Sequence, residues 1–292
     1  MVTRICATFL ALHALAALGA ETKPGPEQKK EQPPLRQPVP GVLRLNLRTR
    51  VQPFKGSDEW QEIVVQKELQ TAGTALLLCD VWDKHWCQGA NERLAKLLPR
   101  MAEVVRFARD HGVQIIHAPS DTMAFYANTP QRLRAQAAPQ AQPPKPLSLP
   151  DPPIPVDASD QGCTEDPPCR VFGAWKSEHP AIEIKEPDAV TDKGQEVYNL
   201  LQQLGIKNLI LMGVHTNMCV LHRSFAIKAM TRWGVRCVLI RDLTDTMYNP
   251  KRPPQVPHDR GTELVVEYIE RYWCPSVLSD DLLKAYQPSE KP

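Results

Sequence analysis

From residue 74 onward, short apolar runs alternate with segments whose apolar positions recur at helical spacing. The runs at 74–81, 113–118, 181–184, 209–214 and 236–241 read as strands, and the most continuous of them suit a sheet covered on both faces. Segments 90–111, 191–204, 218–233 and 261–273 carry the helical period. Gly112, Gly205 and Gly234 fall where helix C-caps are expected. Strand–helix–strand repetition predicts an α/β fold of three layers, α/β/α, around a mostly parallel Rossmann-like sheet. In such sheets, sites gather outside the carboxyl ends of the strands.

The flanks differ in character. Arg4 precedes an apolar run over residues 5–20 that ends in small residues, the pattern of a cleavable signal peptide, so the mature chain is expected to be secreted or periplasmic. That run is too short to favour a membrane span, and the mature form is expected to be free of the membrane. Residues 21–42 are rich in Pro, Lys, Glu and Gln and read as a disordered tether, with 43–72 an N-terminal extension packed on a main domain at 73–286. Within that domain, 137–168 is crowded with prolines and excludes regular structure; a loop of this length acts as a lid or a surface insertion.

Across 292 residues the formal net charge is only +2, and no basic stripe interleaved with aromatics stands out, which argues against a nucleic-acid partner. With Cys6 in the leader, seven cysteines remain, an odd number that leaves at least one thiol unpaired within the chain. Cys163 and Cys169 flank a short Pro-rich turn and are the favoured local disulfide, with Cys87–Cys274 a weaker pairing. The chain has no CxxC pair, which argues against a zinc ribbon.

Strand ends concentrate the candidate chemistry. The run ending Gly213-Val214-His215-Thr216-Asn217-Met218-Cys219 places a thiol just past a buried strand. Thr216 and Asn217 suit a helix N-cap, so Cys219 is expected in the first turn of the next helix, where free amides and the dipole favour the thiolate. Asp80 after the first strand and Lys185 after the third complete a sensible set, a base and a cation beside a nucleophile. Trp82, Trp86, Phe125, Tyr126 and Trp175 come from loops on the same side and could wall a pocket for a flat substrate. Asp83, His85 and Cys87 occupy alternate positions that would converge on a divalent metal such as zinc if extended, although the triad chemistry requires no cofactor.

Together, Thr74-Ala-Leu-Leu-Leu-Cys-Asp80, Ile182-Glu-Ile-Lys185 and the Gly-Val-x-Thr-x-x-Cys-Val segment ending at Val220 resemble the isochorismatase-like cysteine hydrolases, a superfamily that includes nicotinamidases and carbamoyl amidohydrolases. The resemblance spans about residues 73–275. It implies an Asp80, Lys185, Cys219 triad, a cis peptide at Val214–His215, and an oxyanion site that includes the Cys219 amide. The function implied is an exported hydrolase cleaving a C–N bond of a small carboxamide or ureido compound through a thioester on Cys219. Vinyl-ether hydrolysis of an isochorismate-like substrate, or a non-catalytic binding module, are the alternatives. The chain departs from the family pattern at Glu186-Pro-Asp-Ala-Val190, where many members carry a small residue and a Phe, and at His117–Met123, which lacks the metal-binding group of nicotinamidases. Apolar helical residues such as 225–230 could support a homo-oligomer.

Overall fold

A computed structural model of the chain describes residues 36–288. The leader expected at 1–20 and most of the tether therefore lie outside the described residues. In chain order the strands are β1 (Gly41–Val51), β2 (Gln61–Gln70), β3 (Thr74–Cys79), β4 (Gln114–Ala118), β5 (Ala189–Val190), β6 (Asn208–Val214), β7 (Arg236–Asp245), β8 (Ser276–Val277) and β9 (Tyr286–Pro288). The helices are α1 (Gln88–Asp110), α2 (Met123–Tyr126), α3 (Pro130–Ala137), α4 (Gly194–Gln203), α5 (Cys219–His222), α6 (Ile227–Arg232), α7 (His258–Tyr272) and α8 (Ser279–Leu283). They build one sheet in the order β2-β1-β8-β7-β6-β3-β4-β5, with β9 on β1. The run from β8 to β5 is parallel and β1 joins antiparallel to β2, β8 and β9, giving the mostly parallel sheet expected.

Alternation along the central strands explains why both faces are covered. Ala75, Leu77 and Cys79 of β3 point into one core with α4, α6 and α7, while Leu76 and Leu78 point into the other with α1 and α8. Each of these leucines is fully buried, and each such burial contributes about 1.5–3 kcal/mol, enough to fix β3 at the centre of the sheet. Gly112, Gly205 and Gly234 all have positive φ behind their helices. No helix of the described residues is long and apolar enough to cross a membrane.

Three sequence expectations need correction. Residues 181–184 form no strand: only Ile182 is buried, and the edge of the sheet is instead the two-residue β5. The helix expected over 218–233 is broken into α5 and α6, because Ser224 turns its hydroxyl and carbonyl to the start of α4, where Gly194 N donates to Ser224 Oγ at 3.0 Å. The last part of the tether is held, with Arg36 donating to the Thr71, Ala72 and Gly112 carbonyls. The extension is a β1–β2 hairpin whose Leu43, Leu45 and Leu47 face the core.

The Pro-rich insertion has no helix or strand between α3 and β5. It crosses the α4, α6 and α7 side, where Asp151 takes Lys228, Arg232 and the Tyr268 hydroxyl. It then returns past the carboxyl ends of the strands, with His179 N donating to Val81 O at 2.7 Å.

Candidate active site

Asp80 follows β3 directly and is fully buried with φ 52, a left-handed conformation uncommon for a side-chain-bearing residue outside functional turns. Its Oδ1 accepts from Ser120 N at 2.8 Å, just past β4, and its Oδ2 accepts from Arg223 Nε at 3.1 Å. The thiol of Cys219 lies beside the same carboxylate, whose charge acts on it directly. The three strands β4, β3 and β6 thus deliver a carboxylate and a thiol to one point at their carboxyl ends.

The bend carrying Cys219 is fixed by its own sequence. Gly213 sits at φ +124 with its α-carbon pressed on β3, where a Cβ would lie 2.0 Å from Cys79 O, so only glycine passes. The Val214–His215 peptide is cis. Thr216 N donates to Asp245 O at 2.8 Å, and Asn217 exchanges hydrogen bonds with the Met247 backbone at 2.9 and 3.0 Å, which ties the bend to the end of β7. Met218 N and Val220 N both donate to His215 O.

Burial pushes the Asp80 carboxyl up, with Arg223 and the Cys219 and Ser120 hydrogen bonds pulling it back. Burial, followed by the adjacent carboxylate, pushes the Cys219 thiol up to about 12. The resting site therefore holds a thiol and a carboxylate ion-paired to Arg223, not the thiolate expected from a helix N-terminus. The physical reason is plain: α5 is a single turn, too short to add much dipole, whereas Asp80 is in contact. Burial also pushes His215 down to about 3 and His85 down to about 4, so both rings beside the bend are neutral.

Lys185 is not brought to this site. Its Nζ pairs with Glu183 at 2.9 Å on a half-exposed surface, and its amide donates to Asp188, which also accepts from Arg109 of α1, while Gln114 at the start of β4 donates to the Pro187 carbonyl. The cation acting on Asp80 and Cys219 is Arg223. Sequence reasoning missed it, although its position four residues after Cys219 places the two on one side of a turn. Around the site, Cys219, Asn217, Met218, His222 and Arg223 line an open depression of about 350 Å³. His222 is exposed at its rim.

Of the aromatic candidates, Trp82 and Trp175 stack at 4.3 Å and 13°, with His85 against both and against Trp86. His85 in turn meets His215 edge-on at 4.9 Å, so this stack braces the bend from behind. Tyr126 is buried and its hydroxyl accepts from Glu178 N at 2.8 Å, while Phe125 is largely exposed beside it. Asp83 and His85 do not converge on a metal: Asp83 Oδ1 accepts from the Lys176 and Ser177 amides, and His85 Nδ1 accepts from Cys87 N. No disulfide joins the seven described cysteines, so neither Cys163–Cys169 nor Cys87–Cys274 is bonded; Cys274 is packed near Cys237 instead.

An α/β sheet with a buried Asp–Cys pair at its strand ends defines a hydrolase-like cysteine site. The family model of the Isochorismatase domain matches residues 74–252, and the chain belongs to the isochorismatase family of hydrolases. No curated protein sequence matches it. Among solved structures it is similar to a cysteine hydrolase from Pseudomonas syringae pv. phaseolicola 1448A at 14% identity, covering 74% of this chain and 93% of that one with a TM-score of 0.47. It is also similar to an isochorismatase from Pseudomonas putida KT2440 at 17% identity, 73% and 91% coverage and TM-score 0.44. An isochorismatase family protein from Burkholderia thailandensis matches at 14% identity, 73% and 95% coverage and TM-score 0.43.

Proposed function

We propose that this protein hydrolyses a C–N bond of a small carboxamide or ureido compound through a thioester on Cys219, with Asp80 as general base and acid and Arg223 as the charge-balancing cation. The observation that carries the reading is a buried carboxylate, Asp80, paired to Arg223 at 3.1 Å and set beside the Cys219 thiol at the strand ends. Burial that lifts Asp80 makes it a better base for that thiol, and Arg223 offsets the negative charge wherever the shared proton sits.

In the first half-reaction Sγ bonds to the substrate carbonyl carbon as the thiol proton passes to Asp80. The Cys219 amide, at the first position of α5, donates to the developing oxyanion. Asp80 then delivers the proton to the departing nitrogen as the C–N bond breaks. Water next attacks the thioester carbon, gives a proton to Asp80, and the C–S bond breaks with return of that proton to sulfur. The depression of about 350 Å³ around Cys219 suits a small substrate.

A panel of primary carboxamides and ureides, assayed for ammonia release, tests this. At least one member is expected to turn over, with an acyl mass adduct on Cys219 after acid quenching. The rate falls as pH drops through the Asp80 pKa, which lies above the ordinary 3.8. It then holds to about pH 10, because the cation is a guanidinium and not an amine. An adduct on any other residue, or a loss of rate near the lysine pKa, would contradict the scheme.

The same proposal includes export through the leader at residues 5–20. Intact mass of the protein recovered from its native host is expected to show an N-terminus close to Glu21. Recovery of a chain that retains residues 1–20 would remove the export step while leaving the chemistry untouched.

A further inference from the structure

Three thiols unused by the Asp80–Cys219 chemistry meet in one place. Cys87 precedes the 23-residue helix α1, and Cys163 and Cys169 come from the Pro-rich insertion; their sulfur atoms all lie within 4.8 Å of one another. Cys87 and Cys163 are buried and Cys169 is partly open to solvent. Ala90, Met247, Trp86 and Met218 pack around them.

The chain packs tightly around these sulfurs. Gly162 makes the approach possible: at φ +68 its α-carbon lies on the end of β7, where a Cβ would meet Met247 C at 2.2 Å. A loop pressed this tightly aims Cys163 at the start of α1.

We propose that Cys87, Cys163 and Cys169 form a three-thiolate site for a thiophilic d10 metal ion, with the fourth position left to water on the open side of Cys169. Soft sulfur ligands gathered in one place are what such an ion requires, and Zn²⁺ accepts three protein ligands plus water. A disulfide between any two of the three would leave the third thiol stranded in the same small cluster. Bound metal would staple the insertion to α1. Through Met218, which packs on the cluster and precedes Cys219, it would also hold the nucleophile bend. This inference does not depend on the proposed C–N chemistry.

The test uses the full-length reduced protein, stripped with a chelator and titrated with Co²⁺ and then Zn²⁺. One Co²⁺ per chain is expected, with thiolate-to-cobalt charge-transfer absorption in the near ultraviolet that Zn²⁺ abolishes. Cys169→Ser, at the most exposed of the three, keeps the native circular dichroism and weakens Zn²⁺ binding by at least about 100-fold. Cys219→Ser keeps the charge-transfer band. If Cys163→Ser fails to fold, Cys169→Ser still decides the matter. Absence of the band with all thiols reduced overturns the proposal, as does a Cys87, Cys163 or Cys169 disulfide that re-forms in air in the presence of Zn²⁺.

Discussion

Cys219→Ala is expected to lower kcat by about 10⁴-fold or more, Arg223→Ala by about 10²- to 10³-fold, and Lys185→Ala by less than about twofold. The first loss follows from removing the atom that becomes acylated. The second follows from geometry: Arg223 Nε lies 3.1 Å from Asp80 Oδ2 and its Nη2 reaches Asp121 at 3.4 Å, so truncation leaves a buried carboxylate without its partner. An unpaired Asp80 takes up a proton and stops serving as the base, which predicts that the acid limb of the rate profile moves to higher pH in Arg223→Ala. Arg223→Lys recovers only part of the rate, since one ammonium cannot reproduce a fork that spans two carboxylates. Steady-state kinetics on the best substrate from the amide panel, with circular dichroism to confirm folding, measures all four. If Lys185→Ala proves as damaging as Arg223→Ala, the cation has been misassigned and the site closes around a different residue during turnover.

That contrast also marks where sequence alone stops being informative. Thr74 to Asp80 and Asn208 to Cys219 are legible because strands buried on both faces must be continuously apolar, and polar residues at their carboxyl ends stand out against them. Asp80 and Cys219 could therefore be paired before any coordinates were known. Lys185 attracted attention as the residue after an apolar–polar alternation, yet only Ile182 of that stretch is buried and the chain turns away to the surface. Arg223 was hidden inside a periodic stretch that reads as one helix from 218 to 233. What breaks that helix is a tertiary contact, Ser224 against Gly194, and no local propensity reports it. The three-cysteine cluster is obscured in the same way, because 76 residues separate Cys87 from Cys163 and only the path of the insertion brings them together.

Asp188→Ala is expected to destabilise the fold by about 3–5 kcal/mol, lowering Tm by about 10 °C. Asp188 is buried and accepts from Arg109 Nε and Nη2 at 3.1 and 2.7 Å and from the Lys185 amide at 2.7 Å, with His117 Nε2 at 3.1 Å. On its other side His117 Nδ1 lies 2.7 Å from Glu178 Oε2, so a fully buried imidazole sits between two carboxylates. Burial alone would lower its pKa, but Glu178 and Asp188 together raise it from 6.5 to about 9. A folded-state pKa above the unfolded one stabilises fully below about 6.5 and is lost as pH rises through about 9, a change of about 3 kcal/mol at most. Asp188 works in the opposite direction: burial lifts it, His117 and Arg109 outweigh that, and its lowered pKa adds stability above 3.8 that disappears only on further acidification. As far as His117 and Asp188 are concerned, wild-type Tm should therefore be highest between about pH 4 and pH 6.5 and fall toward pH 9, and Glu178, whose carboxyl burial pushes up, adds to the loss as pH rises. In Asp188→Ala the alkaline fall shrinks, because His117 has lost one of the two carboxylates that hold its proton. Thermal denaturation of both proteins at pH 6 and about pH 9.5 separates the two effects. Equal alkaline losses in both would show that Asp188 does not help hold the His117 proton, whatever it does for Arg109.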